Sequence, residues 1–255
     1  MTEFVSKLTR VCDRHGEYVA RQWALPGGGS IVSACPGCRD EATAAESRAK
    51  SGTALFAFKL ALAAAGIGPR YYEASFDNYR VSRDEEGYAL ESFRNYTQTF
   101  DRRRSKNLVV YGHTGTGKTH LACAMAKVLL MRDISVSYLP ILNLFSQYQD
   151  ITSYNSEREG SREGFFVKMR APDLLIIDEF GIVALTEKER IVLHRVIDER
   201  YNRRAPTCLI GNSSLPEFAE IVGERAMRRV MSETVVVACD WSSAPTNSEL
   251  FAEGE

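Results

Sequence analysis

The 255-residue chain lacks any charge imbalance: 32 Lys and Arg stand against 33 Asp and Glu, a net of −1. That excludes a uniformly basic nucleic-acid coat and an acidic, self-repelling tail protein, so contact with a polyanion must come from a local patch. Long apolar runs are missing too. The most apolar stretch, residues 53–68, is broken by Lys59 and falls short of the roughly 20 residues a bilayer-spanning helix needs. The opening residues lack the charged-then-apolar pattern of a secretory signal. No membrane contact is expected, and the cytoplasm is the expected location. Internal repeats and long low-complexity tracts are absent. Histidine is scarce, at four, and six cysteines in that compartment read as metal ligands or buried thiols rather than disulfides. What remains is ordinary for a soluble globular protein, with 44% hydrophobic and 25% charged residues, long enough for one or two domains around a sizeable core.

The chain divides into residues 1–39, 40–68, 69–241 and 242–255. The first segment holds half the cysteines and a Pro-Gly-Gly-Gly-Ser loop at 26–30. Residues 40–68 are Ala-rich and read as one or two linker helices that stop at Gly66 and Gly68. The last segment is small, polar and acidic, and is expected to be flexible. Between them, short apolar runs at 108–111, 135–139, 174–177, 208–210 and 235–238 predict strands covered on both faces. Amphipathic stretches at 118–131, 140–150, 162–170, 187–203 and 216–231 predict helices. This alternation predicts an α/β fold with a mainly parallel central sheet.

Gly112, His113, Thr114, Gly115, Thr116, Gly117, Lys118 and Thr119 match the phosphate-binding loop G-x-x-x-x-G-K-[ST]. An apolar strand enters the loop and an amphipathic helix leaves it, which a chance glycine-rich turn would not have. The glycines let backbone N–H groups curl inward toward phosphate oxygens, and the helix N-terminus adds partial positive charge. Lys118 would reach the β- and γ-phosphates of ATP, and the Thr119 hydroxyl would ligate Mg²⁺. His113 and His120 lie in the nucleotide-binding segment but read as structural or solvent-facing, since phosphate binding does not call for imidazole. A second apolar run ends in Asp178 and Glu179 at the sheet edge where ligands bind in open α/β folds. Asp178 would hold Mg²⁺ and Glu179 would act as general base toward water. A third run ends in Asn212, placed to orient that water. Arg225 and Arg229, at i and i+4, share one helix face and suit a finger offered to a neighbouring subunit. Cys123, Cys208 and Cys239 lie in apolar runs and read as buried thiols.

Cys12 and His15 form one chelating pair, and Cys35 and Cys38 another, 19 residues further on. Two-residue spacing lets both members of a pair face one ion, and four such ligands describe a closed, structural Zn²⁺ site. A segment this small needs the metal to fold.

Taken in order, these motifs resemble an AAA+ ATPase, and within that group the DnaC/DnaI helicase-loader branch. The resemblance rests on residues 111–122 around the phosphate loop, on Ser75-Phe76-Asp77-Asn78-Tyr79 upstream, and on Gly223-Glu224-Arg225-Ala226-Met227-Arg228-Arg229 downstream. It implies an AAA+ P-loop core lacking a C-terminal helical lid, because only a short tail follows the final strand. It implies ATP hydrolysis that is weak without partners or DNA. Self-assembly would complete each site with a neighbour's arginine, Arg229 as the finger and Arg225 as a second contact. A hexameric, DnaB-like replicative helicase and single-stranded DNA are the implied partners, with the zinc module meeting the helicase. An IstB-like transposition helper and a non-hydrolysing zinc-module adaptor are the rival readings. The apolar run 54–62 must be covered by something; packing on the chain's own ATPase domain is preferred to docking on a partner. Arg102-Arg103-Arg104 and Arg203-Arg204 are short basic clusters that would either touch phosphates or simply face solvent.

Overall fold

The computed structural model describes residues 3–24, 30–33, 35–154, 159–181 and 184–241. The glycine-rich loop at 26–29 and the tail at 242–255 lie outside the described residues. The chain forms two units, residues 1–60 and 61–255.

In the first unit β1 (Glu3–Cys12), β2 (Gly16–Ala24) and β3 (Ser30–Val32) make an antiparallel sheet in that order. Sequence reasoning placed no strands here. Polar residues such as Ser6, Lys7, Thr9 and Arg10 fill β1, and Val11 and Val19 face solvent, so no clean apolar alternation marks the pair. Gly16, at φ +74°, closes the hairpin in the left-handed region that glycine enters without strain. A single helix α1 (Pro36–Ala64) follows and crosses from the first unit into the second. Cys35 immediately precedes this helix and Cys38 lies in its first turn, so the second cysteine pair is spaced by a helix start rather than by the tight turn the sequence suggested. Leu55, Phe56 and Leu60 on this helix are exposed, and of residues 54–62 only Leu62 is buried.

The second unit contains α2 (Asp84–Gln98), β4 (Asn107–Gly112), α3 (Lys118–Met131), β5 (Val136–Pro140), α4 (Ile141–Tyr154), α5 (Glu159–Arg170), β6 (Leu174–Phe180), α6 (Glu187–Asn202) and β7 (Thr207–Gly211), then α7 (Leu215–Val222), α8 (Glu224–Met231) and β8 (Thr234–Cys239). The five strands are all parallel, in the order β5-β6-β7-β4-β8. Side chains alternate across each strand: Val109, Leu175, Ile177 and Leu209 join the core under α4–α8, while α2 and α3 pack on the opposite side. Each buried side chain of this size stabilises the fold by about 1.5–3 kcal/mol. Every predicted strand and helix of this region is found to within a few residues, with one correction. The helix expected over 216–231 is two helices broken at Gly223, whose φ is +86°. A Cβ there would lie 2.7 Å from His194 Nε2, which itself hydrogen-bonds the Val222 carbonyl at 2.8 Å. The break re-aims α8, which carries Arg225 and Arg229.

Arg200 is fully buried on α6 without a carboxylate partner. Its guanidinium donates to the Thr207 hydroxyl and to the Met169, Pro172 and Pro206 carbonyls at 2.7–3.0 Å, and more weakly to Asp173 O. Burial lowers its pKa to about 9, which leaves it charged at neutrality. It ties α5, α6 and the start of β7 together.

Candidate nucleotide site and metal centre

The loop between β4 and α3 is pressed against its surroundings at two glycines. A Cβ on Gly112 would lie 2.1 Å from the Cys239 carbonyl oxygen, and one on Gly117 would meet the Tyr79 ring at 2.6 Å. Gly115 and Gly117 have φ of +82° and +86°, which curls the backbone into the concave form that receives phosphate oxygens. The Tyr79 hydroxyl donates to Thr116 O at 3.0 Å, and Thr116 Oγ1 donates to His113 O at 2.8 Å. Lys118, buried at the first position of α3, donates from Nζ to Gly112 O, His113 O and Thr116 Oγ1 at 2.9, 2.6 and 3.3 Å. Desolvation lowers its pKa. The His113 side chain is exposed, and its backbone N–H donates to Cys239 O. His120 Nε2 lies 2.9 Å from Ser75 O. Thr114, like His113, is exposed on the loop.

Thr119 and Asp178, 59 positions apart, meet directly: Thr119 Oγ1 donates to Asp178 Oδ2 at 2.8 Å. The Tyr138 hydroxyl donates to the same oxygen at 2.9 Å, and the Glu179 N–H donates to Oδ1 at 2.6 Å. Burial raises the Asp178 pKa, opposed by these donors and by Lys118. A hydroxyl and a carboxylate oxygen side by side at the foot of the loop are the hard oxygen donors Mg²⁺ prefers, so the residues present fit that ion. Glu179 follows in a left-handed conformation, φ +68°, where the β6–β7 register slips between Ile177 and Phe180. Such a kink re-aims a side chain out of the strand pattern, at a cost of order 1–3 kcal/mol. Burial, then the Asp178 charge, raises the Glu179 pKa. That makes it a better proton acceptor than an exposed carboxylate.

In the first unit Cys12, His15, Cys35 and Cys38 bring one ligand atom each to within 4.8 Å of one another. Cys12 Sγ lies 3.6 Å from Cys38 Sγ and 3.6 Å from His15 Nδ1, and Cys38 Sγ lies 3.5 Å from His15 Nδ1. Tetrahedral Zn²⁺ with Zn–S of about 2.3 Å and Zn–N of about 2.0–2.1 Å requires edges of roughly 3.8 Å between sulfurs and roughly 3.6 Å from sulfur to nitrogen. The four donors fit the ion. His15 Nε2 is 3.1 Å from Glu41 Oε1, the outer carboxylate that fixes a ligand histidine's ring and tautomer. Arg14 joins Glu41 to Cys38, with Nη1 3.1 Å from Glu41 Oε2 and Nη2 donating to Cys38 Sγ at 3.6 Å. Hydrogen bonding, led by the Arg14 N–H, lowers the Cys12 pKa to about 6, favouring the thiolate a metal needs. Gly37 is under the His15 ring; a Cβ there would lie 2.6 Å from it.

Residues 69–249 match the family described as IstB-like ATP binding protein. The chain belongs to the IstB-like ATP-binding family. Within it, the chain is similar to the replicative helicase loader DnaC of Escherichia coli strain K12, at 33% identity over 179 residues, 70% of this chain and 71% of that one. DnaC of Buchnera aphidicola subsp. Acyrthosiphon pisum is 26% identical over 183 residues, 71% of this chain and 73% of that one. Among solved structures, the DnaC helicase loader superimposes with a TM-score of 0.60 at 22% identity, over 67% of this chain and 99% of that one. AMPPCP-bound DnaA from Aquifex aeolicus gives 0.56 at 20% identity, over 69% of this chain and 51% of that one. The fold of this IstB-like protein is thus an AAA+ core of the DnaC type.

The remaining sequence-predicted residues of the IstB-like core are spread along its rim. Asn212 directly follows β7 and donates its backbone N–H to the carbonyl of Phe180, the residue after Glu179, at 3.0 Å. Arg225 is exposed and forms no ion pair among the described residues. Arg229 is half-buried, with Nε 2.9 Å from Asp198 Oδ1. Cys123, Cys208 and Cys239 are all fully buried thiols with raised pKa values. Sequence reasoning missed Tyr138, Tyr79 as a brace for the loop, and Glu41.

Proposed function

We propose that this protein is an ATP-dependent loader of a hexameric, DnaB-like replicative helicase onto single-stranded DNA, acting in the cytoplasm. The carrying observation is the direct meeting of Thr119 and Asp178 beneath an intact phosphate loop, in a chain one-third identical to a replicative helicase loader across its ATPase domain. In this reading Gly112–His120 cradles the triphosphate of ATP and Lys118 turns its ammonium from the loop carbonyls to the phosphates. Thr119 and Asp178 hold Mg²⁺, which supplies charge neutralisation of the transferring phosphoryl group when bound. Glu179 accepts a proton from the attacking water, and Asn212 orients that water. Arg225 is already unpaired and available to a neighbouring subunit, whereas Arg229 must first leave Asp198. Turnover by isolated protomers is accordingly weak, and self-assembly raises it. Zn²⁺, when bound, fixes the first unit, and that unit with the exposed Leu55, Phe56 and Leu60 face of α1 grips the helicase.

The test is capture of purified hexameric helicase by the full-length protein, with and without ATP, alongside Glu179→Gln. ATP-dependent capture that persists in Glu179→Gln, with its release abolished, is the expected result. Capture of a transposase instead, with no helicase retained, sinks the loader reading in favour of an IstB-like transposition helper. Equal, negligible ATP turnover by native protein and Glu179→Gln with single-stranded DNA present points to the non-hydrolysing adaptor.

A further inference from the structure

The two basic clusters noted in the sequence lie about a hundred positions apart, yet the fold brings them to one place. It is the sheet edge opposite the phosphate loop, where β4, β7 and β8 begin. Two broad depressions open there, with volumes of about 680 and 670 Å³, and Arg104 and Ser105 line both. Tyr88 and Lys106 line the first, and Arg103, Tyr201 and Arg204 line the second. The two tyrosine rings are 64% and 48% exposed, unusual for side chains with so much apolar surface.

Charge separates this trough from the rest of the surface. Arg103, Arg104, Lys106 and Arg204 are all exposed and form no ion pair among the described residues. The adjacent Arg102 shows what a committed arginine looks like here: it pairs with Asp173 at 3.2 Å. Of the two carboxylates in the lining, Glu91 pairs with Arg94, which leaves Glu233 against four cations. Both walls are rigid. Ala205 N bonds Arg200 O and Arg204 N bonds Tyr201 O, each at 3.0 Å, a helix-ending motif that normally has glycine where Arg204 stands at φ +53°. On the other wall Asp101 accepts the N–H groups of Arg103, Arg104 and Ser105.

We propose that this trough is a contact surface for single-stranded nucleic acid, its cations tracking successive phosphates and Tyr88 and Tyr201 stacking on bases. Unpaired cations beside exposed aromatic rings are the physical requirement for sequence-tolerant binding of a single strand. Each depression has the size of a small-ligand pocket. That admits a splayed nucleotide. The proposal rests on the reading that the protein acts on single strands. It adds a site about one strand length, ~20 Å, from the ATP.

The test is fluorescence anisotropy of a labelled dT20 oligonucleotide with the full-length protein, ATP and Mg²⁺, over a salt series. Arg103→Ala/Arg104→Ala/Arg204→Ala should weaken binding at least tenfold and reduce the slope of log K against log salt by about 2, at roughly 0.7 for each phosphate no longer neutralised. Tyr201→Ala should weaken it roughly 5- to 100-fold with the slope unchanged, as removal of one stacking partner predicts. None of these residues touches the phosphate loop, so binding of a fluorescent ATP analogue should stay native and report a folded ATPase domain. A triple variant with native affinity and slope overturns the trough while native binding to dT20 leaves the loader reading standing. Absence of dT20 binding by the native protein sinks the single-strand reading and the trough together. A triple variant that loses duplex or anionic-vesicle binding but keeps dT20 assigns the trough to another ligand and overturns the proposal.

Discussion

The two units of this chain are held by different forces. Residues 61–241 bury several dozen apolar side chains around five parallel strands. In residues 1–60, among the side chains described, only Ala20 and Cys35 are buried. A methyl group and a thiol stabilise by about 1–2 kcal/mol together, too little to order more than one residue's backbone and side chain. Zinc binding to a four-ligand site contributes on the order of 10–16 kcal/mol. One unit is thus folded by its core, whereas the other buries too little to fold that way and, in the reading proposed above, draws on the metal its four donors fit.

The sharpest way to break that comparison is to remove the metal. Chelation, or Cys38→Ser, should abolish hydrogen-exchange protection across residues 3–33 while leaving the melting temperature of the ATPase domain within about 2 °C. Retained protection in the first unit would mean that its fold does not depend on zinc. The converse experiment acts on the other unit. Lys118→Ala or Glu179→Gln should lower assembly-stimulated ATP turnover about 10²–10⁴-fold, with zinc content by elemental analysis unchanged. Arg200→Met leaves five acceptors, three of them buried, without their donor and should cost the ATPase domain about 3–5 kcal/mol in denaturant unfolding, again without zinc loss. Glu41→Gln should weaken zinc affinity about 10- to 100-fold in competition with a chelator.

The smallest effect is a matter of sign. Burial raises the Asp178 pKa in the folded protein. The stability contributed by its protonated form is complete below the ordinary carboxylate range and is lost as pH rises through the raised value. Without Mg²⁺, Asp178→Asn should therefore be more stable than native at pH 7, and the difference should close in acid. A variant less stable at pH 7 would show that the three hydrogen bonds to Asp178 outweigh its desolvation. With Mg²⁺ and ATP the order should reverse, because only the carboxylate holds the ion.

The same contrast explains what was legible beforehand. The strands of the second unit announce themselves as unbroken apolar runs, and the phosphate loop and Asp178-Glu179 are contiguous motifs with fixed chemistry. The clustering of Cys12, His15, Cys35 and Cys38 was legible from spacing alone. The hairpin was not, because a sheet with little to bury needs no apolar alternation. Tyr138 reaches Asp178 from a strand 40 positions away, and nothing local marks it except a polar group inside an apolar run. Glu41 was within reach: it stands three positions after Cys38, one helical turn on, and placing the helix start at Pro36 would have put both on one face. The split at Gly223 was lost because a lone glycine in a helical pattern is often tolerated, and only the nearness of His194 decides otherwise.

Glu179 stands at φ +68°, a backbone angle that glycine or asparagine would adopt at lower cost. A library of variants screened for heat endurance, with no demand for turnover, should therefore gather those two residues at this position. The isolates would be hardier than the parent and would grip nucleotide yet leave it whole. One torsion angle thus marks where the chain is shaped for work at the expense of durability.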